Sequence, residues 1–193
     1  MIDIHTLVLG ELETNCYIVS LPCSQDVVVI DPGDDIPALK RALQGKNVCG
    51  VLITHAHYDH ILGLPALREY PIYVHEDDAP AMTNALFNCA PESAPTPAIP
   101  ATHTVRDGDV ISLAGINFSV LHTPGHTLGG ACYQVDDVLF TGDTLFAHGY
   151  GRTDLYGGDF RQLMQSLRRL LRMRIHIYPG HGEDALFGHK ENQ

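Results

Sequence analysis

Residues 48–60 read VCGVLITHAHYDH, and this stretch decides the fold class that we predict. The apolar run 48–53 is typical of a buried strand, and the strand ends where three histidines and an aspartate follow. At the spacing of an extended chain, His55 and His57 project to the same side, while a turn into a helix brings Asp59 and His60 back toward them. The stretch therefore predicts a cluster of ligand-type side chains at one edge of a β-sheet.

The segments around this stretch predict an α/β architecture. Asp35 is expected to cap a helix that Gly45 ends, and a second helix-like segment covers 60–70, with Pro65 tolerated near its start or at a kink. The run 79–104, rich in proline and alanine, is expected to be a long surface excursion. Strand-like runs lie at 5–11, 15–21, 26–33, 48–54, 109–115, 117–123, 130–136, 137–143 and 175–182.

A last helix is predicted behind an Asp159 cap. Strands and helices in this order suggest two β-sheets packed together with helices on the outer faces, in a single domain spanning 1–193. The apolar face of the last helix is expected to contain Phe160, Leu163, Met164, Leu167, Leu170 and Leu171.

Composition and charge narrow the classes of partner. The net charge is -11, from 23 acidic and 12 basic residues, which disfavours nucleic acid and anionic membranes and favours a small molecule. No apolar run approaches the roughly 20 residues of a membrane span, and the first residues lack the features of a signal peptide, so we expect a cytoplasmic protein. The five cysteines are scattered and form no CxxC pair, which indicates neither a disulfide framework nor a thiolate zinc site.

Three further ligand-type residues follow apolar runs through glycine-containing turns: His126, Asp143 and His181. Five imidazoles and two carboxylates at a partly buried edge would be costly without cations, so the seven residues predict a metal site. Imidazole and carboxylate ligands without thiolates suit zinc, iron, manganese, nickel or cobalt. Ordinary structural roles are expected for His75, His103, His148, His176 and His189.

The motifs HAHYDH, TPGHT, FTGDT and PGHG occur in that order, and with them the chain resembles the metallo-β-lactamase superfamily. Within it, IDPG, TPGHTLGG, GDTLF, GRTDLYGGD and YPGHGEDALFGHKEN resemble the compact glyoxalase II-like (hydroxyacylglutathione hydrolase-like) hydrolases. The resemblance covers nearly the whole chain. It implies a four-layer αβ/βα sandwich of two mixed β-sheets with the metals at one edge, in agreement with the periodicity.

The resemblance also implies a role for each ligand-type residue. Asp143 would bridge two divalent metal ions, with zinc as the first expectation and iron or manganese as the alternatives. Thr54, His122 and Thr144 would be hydrogen-bond partners of the ligands or ordinary turn residues. The first ion would be held by His55, His57 and His126, and the second by Asp59, His60 and His181.

The function that the resemblance implies is hydrolysis of small thioesters such as S-lactoylglutathione. A metal-bound hydroxide would attack the acyl carbon, and Asp59 would act as the catalytic residue that orients this nucleophile or accepts its proton. Tyr150 would contact the substrate, and Arg152 would pair with Asp154 to hold its loop. Full glyoxalase II enzymes carry a C-terminal helical domain that holds glutathione, whereas this sequence stops about 12 residues after His181.

Three alternatives remain at the level of sequence. Persulfide dioxygenases resemble the same motifs but use a single iron ion and oxygen. A nuclease is a second alternative because Arg161, Arg168 and Arg169 contribute to a basic face of the last helix, although the net charge opposes it. A binding protein without catalytic activity is the third.

Overall fold

The computed structural model describes residues 1–188, and these form two mixed six-stranded β-sheets. In the first sheet the strands lie in chain order, with the first three antiparallel and the last four parallel to one another. These strands are β1 (Asp3–Leu9), β2 (Thr14–Ser20), β3 (Asp26–Ile30), β4 (Asn47–Leu52), β5 (Ile72–His75) and β6 (His103–Val105).

The second sheet has the order β12-β11-β10-β9-β8-β7. All of its neighbouring pairs are antiparallel except β10 and β11, which run parallel. Its strands are β7 (Val110–Leu113), β8 (Ile116–His122), β9 (Ala131–Val135), β10 (Val138–Gly142), β11 (Ile175–Pro179) and β12 (Ala185–Phe187).

Three hydrophobic clusters give the molecule four layers. The central cluster lies between the sheets, where Tyr17 of the first sheet packs 5.2 Å from Phe140 of the second, measured between ring centroids. A second cluster joins the outer face of the first sheet to the helix α1 (Ile36–Ala42) and to segments near Leu64 and Met82. A third joins the second sheet to α3 (Phe160–Leu170). The predicted αβ/βα sandwich is confirmed.

The capped helices follow the sequence prediction closely. The Asp35 side chain accepts a hydrogen bond from the Ala38 backbone N–H at the start of α1, and Asp159 accepts from two backbone N–H groups at the start of α3. The buried apolar face of α3 is shorter than predicted. Phe160 at the start of the helix and Leu171 just after its end are half-exposed.

The helix-like segment predicted at 60–70 is interrupted and mostly not α-helical. The chain instead forms the single turn α2 (Tyr58–Ile61), a break at Gly63 and a short 3-10 turn at Leu64–Ala66. Gly63 is pressed against the backbone of the loop after β3, since a Cβ there would lie 2.4 Å from the Gly33 carbonyl oxygen. Pro65 lacks the N–H that a continuing helix needs, so the contact and the proline together end the helix.

Several strands were not predicted. The strands β5, β6 and β12 have three or four residues each and lie at or near sheet edges, where a short run carries little periodic signal. The excursion after residue 79 runs over the surface as predicted, but it is anchored by the buried side chains of Met82 and Asn88.

Among residues 1–188, no helix combines the length and apolar character that crossing a membrane requires.

Candidate metal centre

All seven predicted ligand-type residues lie at one edge of the sandwich. His55 and His57 follow β4, Asp143 follows β10, and His181 follows β11. The neighbouring strands β3 and β4 are parallel, as are β10 and β11, so the carboxyl ends of each pair open onto the same edge. Asp59 and His60 reach this edge from the single turn α2, and His126 reaches it from the loop between β8 and β9.

The ligand atoms form two triads and a third group, His55, His60 and Asp143, that joins them, and within each group they lie within 4.8 Å of one another. The first group contains His55, His57 and His126. The second contains Asp59, His60 and His181. These are the triads that the sequence resemblance implied, and which ion each residue would hold remains a proposal.

Asp143 lies between the two triads. Its Oδ1 is 3.5 Å from Nε2 of His60, and its Oδ2 is 3.5 Å from Nε2 of His126 and 3.6 Å from Nε2 of His181. One carboxylate thus faces a histidine of the first triad and two of the second. This placement suits a ligand shared by two cations.

The outer nitrogens of three imidazoles are anchored, which turns their inner nitrogens toward the centre. His126 Nδ1 lies 2.7 Å from the Arg152 carbonyl oxygen, and His181 Nδ1 lies 2.9 Å from the Leu12 carbonyl oxygen. His60 Nδ1 lies 3.0 Å from Oδ2 of Asp31. Such partners fix the ring orientation of metal-binding histidines.

The chemistry of the site fits divalent cations. Four buried polar atoms have no hydrogen-bond partner among residues 1–188: Nε2 of His55, His57 and His60, and Oδ1 of Asp143. A buried polar atom without a partner costs about 1–3 kcal/mol, so these four atoms favour a partner that the chain itself does not supply. His57 Nδ1 lies 2.9 Å from His126 Nε2, so nitrogen atoms of two members of the first triad face each other, and either could bind a cation.

Electrostatics within the cluster point the same way. Burial, the largest effect, and the imidazoles of His126 and His60 lower the pKa of His57 to about 3, so its ring is neutral and free to ligate. Burial alone would lower the pKa of His60 as well, but the carboxylates of Asp59 and Asp31 raise it well above 6.5. A cation entering the cluster would replace the proton on His60, so metal binding should release protons.

Asp31 is a functional residue that sequence reasoning missed. Besides His60, its carboxylate accepts hydrogen bonds from the backbone N–H of Thr54 at 2.7 Å and from Thr54 Oγ1 at 2.6 Å. Thr54 Oγ1 in turn lies 3.2 Å from His55 Nδ1, so Asp31 supports a histidine of each triad. The signal was the IDPG motif after β3, because an aspartate at a strand end with a φ of 49° indicates a specialised turn.

Replacing Asp31 with asparagine is expected to lower metal affinity about 10- to 100-fold, because supporting partners of metal ligands typically contribute that much. Competition with a chromophoric chelator would measure the change. Asp137→Asn, at an exposed turn between β9 and β10, is the matched control and should leave the affinity unaltered. Equal affinity in Asp31→Asn and the wild type would show that His60 needs no such support.

Gly180, in the turn before His181, leaves no room for a side chain. A Cβ there would lie 2.2 Å from Asp143 Oδ1 and 2.7 Å from His60 Cε1. Gly180→Ala is therefore expected to displace two candidate ligands while retaining all seven, and a displacement near 1 Å costs about 100-fold in turnover. Metal-dependent turnover and metal content would be measured together.

Gly45→Ala is the control for that glycine prediction. Gly45 has a φ of 78° and open space around it, so alanine adds backbone strain far from the cluster. It should lower stability by about 1–2 kcal/mol and leave metal content intact. Normal turnover in Gly180→Ala would contradict the packing seen in the structure.

Asp78 is a second residue that the sequence did not single out. Its buried carboxylate accepts from the backbone N–H groups of Ala56 at 2.9 Å and Gly129 at 2.6 Å, and from Thr127 Oγ1 at 2.9 Å. Burial raises its pKa despite these hydrogen bonds. The two loops that it joins carry His57 and His126, so Asp78 holds the halves of the first triad together.

The three residues that the sequence placed next to the ligands differ in their contacts. Thr54 lies between Asp31 and His55, as described above. Thr144 contacts Thr123 Oγ1 at 2.9 Å rather than a histidine of the cluster. His122, for which the sequence left a partner of the ligands or an ordinary residue open, contacts none of the seven residues: its Nε2 lies 3.0 Å from the Leu128 carbonyl oxygen and its ring stacks on His75. It lies on the last residue of β8, ahead of the turn that carries His126 to the cluster.

The loop 150–154 shows one predicted contact and leaves another open. Arg152 donates two hydrogen bonds of 2.7 Å to the carboxylate of Asp154, which confirms the predicted pair. Tyr150 is half-exposed, and its ring centroid lies 6.3 Å from that of Phe160. Its role as a substrate contact stays a prediction.

The remaining histidines have protein partners outside the cluster, as expected for ordinary structural roles. His103 stacks on Tyr73, His148 lies 3.2 Å from Glu183, and His176 contacts Asp184. His75 stacks on His122 and, with Asp77, forms a fourth group of ligand-type atoms apart from the seven residues. His189 lies outside the described residues.

Comparison with known proteins identifies relatives of this arrangement. Residues 9–182 match the family profile described as the metallo-beta-lactamase superfamily. A hydroxyacylglutathione hydrolase of Photobacterium profundum is 42% identical over 80% of this chain and 56% of its own length. The chain thus corresponds to little more than half of that relative.

Two solved structures share the fold over nearly their whole length. The BLEG-1 B3 metallo-beta-lactamase superposes with a TM-score of 0.89 at 33% identity, covering 97% of this chain and 95% of that one. TTHA1623, solved in a di-iron-bound form, gives a TM-score of 0.84 at 33% identity, covering 95% of both chains.

Proposed function

Because the chain belongs to the metallo-beta-lactamase superfamily, whose members are generally hydrolases, we propose that it is a metal-dependent hydrolase of small thioesters. One observation carries the proposal: two triads of ligand atoms share Asp143, and four buried polar atoms among the seven residues lack a partner. The named relative from Photobacterium profundum supports the thioester class, since hydroxyacylglutathione is a thioester.

The ligands would be shared between two cations. Asp143 would touch both ions, His55, His57 and His126 would hold the first, and Asp59, His60 and His181 the second. When bound, two divalent cations lower the pKa of water and polarise a carbonyl group. The overall reaction breaks the C–S bond of the thioester, forms a C–O bond with oxygen from water, and yields a carboxylic acid and a thiol.

Asp59 is the residue of this chain that we assign to orienting the attacking water. Its Oδ2 accepts a hydrogen bond of 2.8 Å from Thr14 Oγ1 and lies 3.3 Å from His181 Nε2. Burial alone would raise the pKa of Asp59, but the charge of His60 and the hydrogen bonds from His181 and Thr14 lower it well below 3.8. The carboxylate is therefore ionised at neutral pH and can orient a water molecule by accepting a hydrogen bond from it, whereas so low a pKa makes it a weak base for the proton itself.

Release of free thiol tests the proposal. Protein stripped with a chelator and reloaded with zinc would be assayed with S-lactoylglutathione and with S-lactoyl-N-acetylcysteamine, beside His57→Ala. His103→Ala, the same substitution at an exposed histidine, is the matched control. Turnover in the wild type and in His103→Ala, with loss of about 1000-fold in His57→Ala, is the expected result. Absence of thiol release by protein with verified metal content would overturn the proposal.

The second candidate is a persulfide dioxygenase with a single iron ion. The solved di-iron form of TTHA1623 shows that a 33% identical relative with the same fold takes iron, but it takes two ions, whereas the dioxygenase would use one. Metal analysis and an oxygen electrode separate the two functions. One iron per chain, with oxygen uptake that requires a thiol persulfide, would support the dioxygenase, whereas two ions and oxygen-independent thiol release would support the hydrolase. A β-lactam would be assayed in parallel because BLEG-1 is named a metallo-beta-lactamase.

A further inference from the structure

A cavity of about 310 Å³ lies beside Asp59. One wall is the turn between β1 and β2, which includes Glu11, and the opposite wall is the segment 91–94 of the surface excursion. Tyr58 and Asp34 complete it, and Asp34 also closes against the turn, since a Cβ on Gly10 would lie 2.9 Å from the Asp34 Cβ. This volume is at the lower end of the range for small-molecule sites.

Hydrogen bonds join the cavity wall to the candidate metal centre. Thr14 Oγ1 donates to Asp59 Oδ2, and the Leu12 carbonyl oxygen accepts from His181 Nδ1. The backbone N–H of Asn15 also donates to the Gly180 carbonyl oxygen at 2.7 Å. Asp59 lines this cavity and is also a member of the second triad, so the cavity adjoins the candidate metal centre.

The charge of the cavity has one sign. Its described lining contains the carboxylates of Glu11, Asp34 and Asp59 and no lysine, arginine or histidine. Burial, followed by the charges of Asp59 and Glu11, raises the pKa of Tyr58, so its phenol is neutral. The Asp59 carboxylate already contacts Thr14 and His181 of the centre. The carboxylates of Glu11 and Asp34 are therefore the ones that would interact with a substrate group in the cavity. An anionic group would meet repulsion there, in a chain of net charge -11.

We propose that this cavity receives the thiol half of the substrate and selects thiols whose far end is neutral or cationic, against carboxylate-bearing thiols such as glutathione. The inference rests on the proposed thioester hydrolysis and narrows it. The cations of the centre act on the acyl carbonyl, whereas the carboxylates of Glu11 and Asp34 act on the end of the thiol. The two effects therefore concern different parts of one substrate.

A matched set of acetyl thioesters tests this selection. Thiocholine and 2-mercaptoethanesulfonate share a two-carbon spacer and carry opposite charges, and N-acetylcysteamine supplies a neutral ester. At low ionic strength, kcat/KM should be about tenfold higher for the thiocholine ester than for the sulfonate ester, with the neutral ester between them. Salt near 1 M should reduce the ratio, because surface charges are then screened.

Variants assign the preference to the cavity. In the double variant Glu11→Gln/Asp34→Asn, the ratio of the cationic to the anionic ester should fall to about twofold or less. Asp137→Asn removes one negative charge at a distant turn and should keep the wild-type ratio. A ratio unchanged in the double variant, or lowered equally by the distant one, would overturn the inference.

The failures of the two proposals are distinguishable. Hydrolysis of all three esters at equal rates, or faster hydrolysis of the sulfonate ester, would overturn the charge selection and leave the hydrolase proposal standing. Hydrolysis of none of them, together with no thiol release from the two lactoyl thioesters, would overturn the hydrolase proposal. Binding of the corresponding S-methyl thioethers to metal-loaded protein, measured by calorimetry, would then decide the charge selection, and equal affinities would overturn it.

Discussion

Asp143→Asn is expected to lower kcat/KM for S-lactoyl-N-acetylcysteamine by about 1000-fold and to reduce the bound divalent metal from two ions per chain toward one. The Asp143 carboxylate faces His60 through Oδ1 and both His126 and His181 through Oδ2. Asparagine keeps the shape but replaces one of these oxygens with an N–H group, which cannot ligate a cation, and it removes a negative charge between the two triads. Steady-state kinetics and emission spectrometry on the same samples would measure both effects.

Asp137→Asn is the control for this substitution, since it makes the same chemical change at an exposed turn. It should retain both metal content and turnover. Circular dichroism of Asp143→Asn would verify that the loss comes from the centre rather than from unfolding. Two tightly held ions together with full activity in Asp143→Asn would contradict the bridging role.

Removal of metal is expected to lower the midpoint of thermal unfolding by about 10 °C. A ligand that binds only the folded state at about 1000 times its dissociation constant stabilises that state by about 4 kcal/mol, and each kcal/mol moves the midpoint by about 2–4 °C in a protein of this size. The effect should be large here because cation binding supplies a partner to four buried atoms that otherwise have none. Scanning calorimetry of chelated and zinc-loaded protein would measure the shift.

His57→Ala tests whether that stabilisation comes from the cluster. With one member of the first triad missing, zinc should raise the midpoint by less than half of the wild-type shift, while His103→Ala should show the full shift. Zinc stabilisation that survives unchanged in His57→Ala would place the responsible ion elsewhere, with His75, Asp77 and His122 as the other group to examine.

Much of the fold was predictable because local signals agreed with the tertiary structure. The strands β2, β3 and β4 are apolar runs ended by turn residues, and the helices α1 and α3 carry aspartate caps. The helix-like prediction at 60–70 held only in part, because the Gly63 N–H donates to the Pro32 carbonyl oxygen, a residue far away in sequence, instead of continuing the helix. Periodicity within one segment contains no information about such a contact.

Part of the candidate site was likewise predictable from local sequence, and part was not. The ligand-type residues were found because each follows an apolar run at a turn, and because their order resembles a known family. Asp78 was missed because it supports the site through hydrogen bonds to other loops, where neither spacing nor residue type marks it. Asp31 was noticed only as part of the IDPG motif, and its hydrogen bond to His60 depends on tertiary contact. Of the two roles that the sequence left open for His122, the structure favours the ordinary one, since its ring contacts the Leu128 carbonyl oxygen and His75.

The sequence by itself determined the architecture of two packed sheets and the seven residues that end at one edge, because strand periodicity and ligand type are local properties. Only the tertiary structure decided that Asp143 faces both triads, that Asp31 and Asp78 orient the ligands, and that a negatively charged cavity adjoins Asp59. These features arise where loops from both sheets meet. They depend on distances between residues far apart in the chain, which are set by the packing of the two sheets.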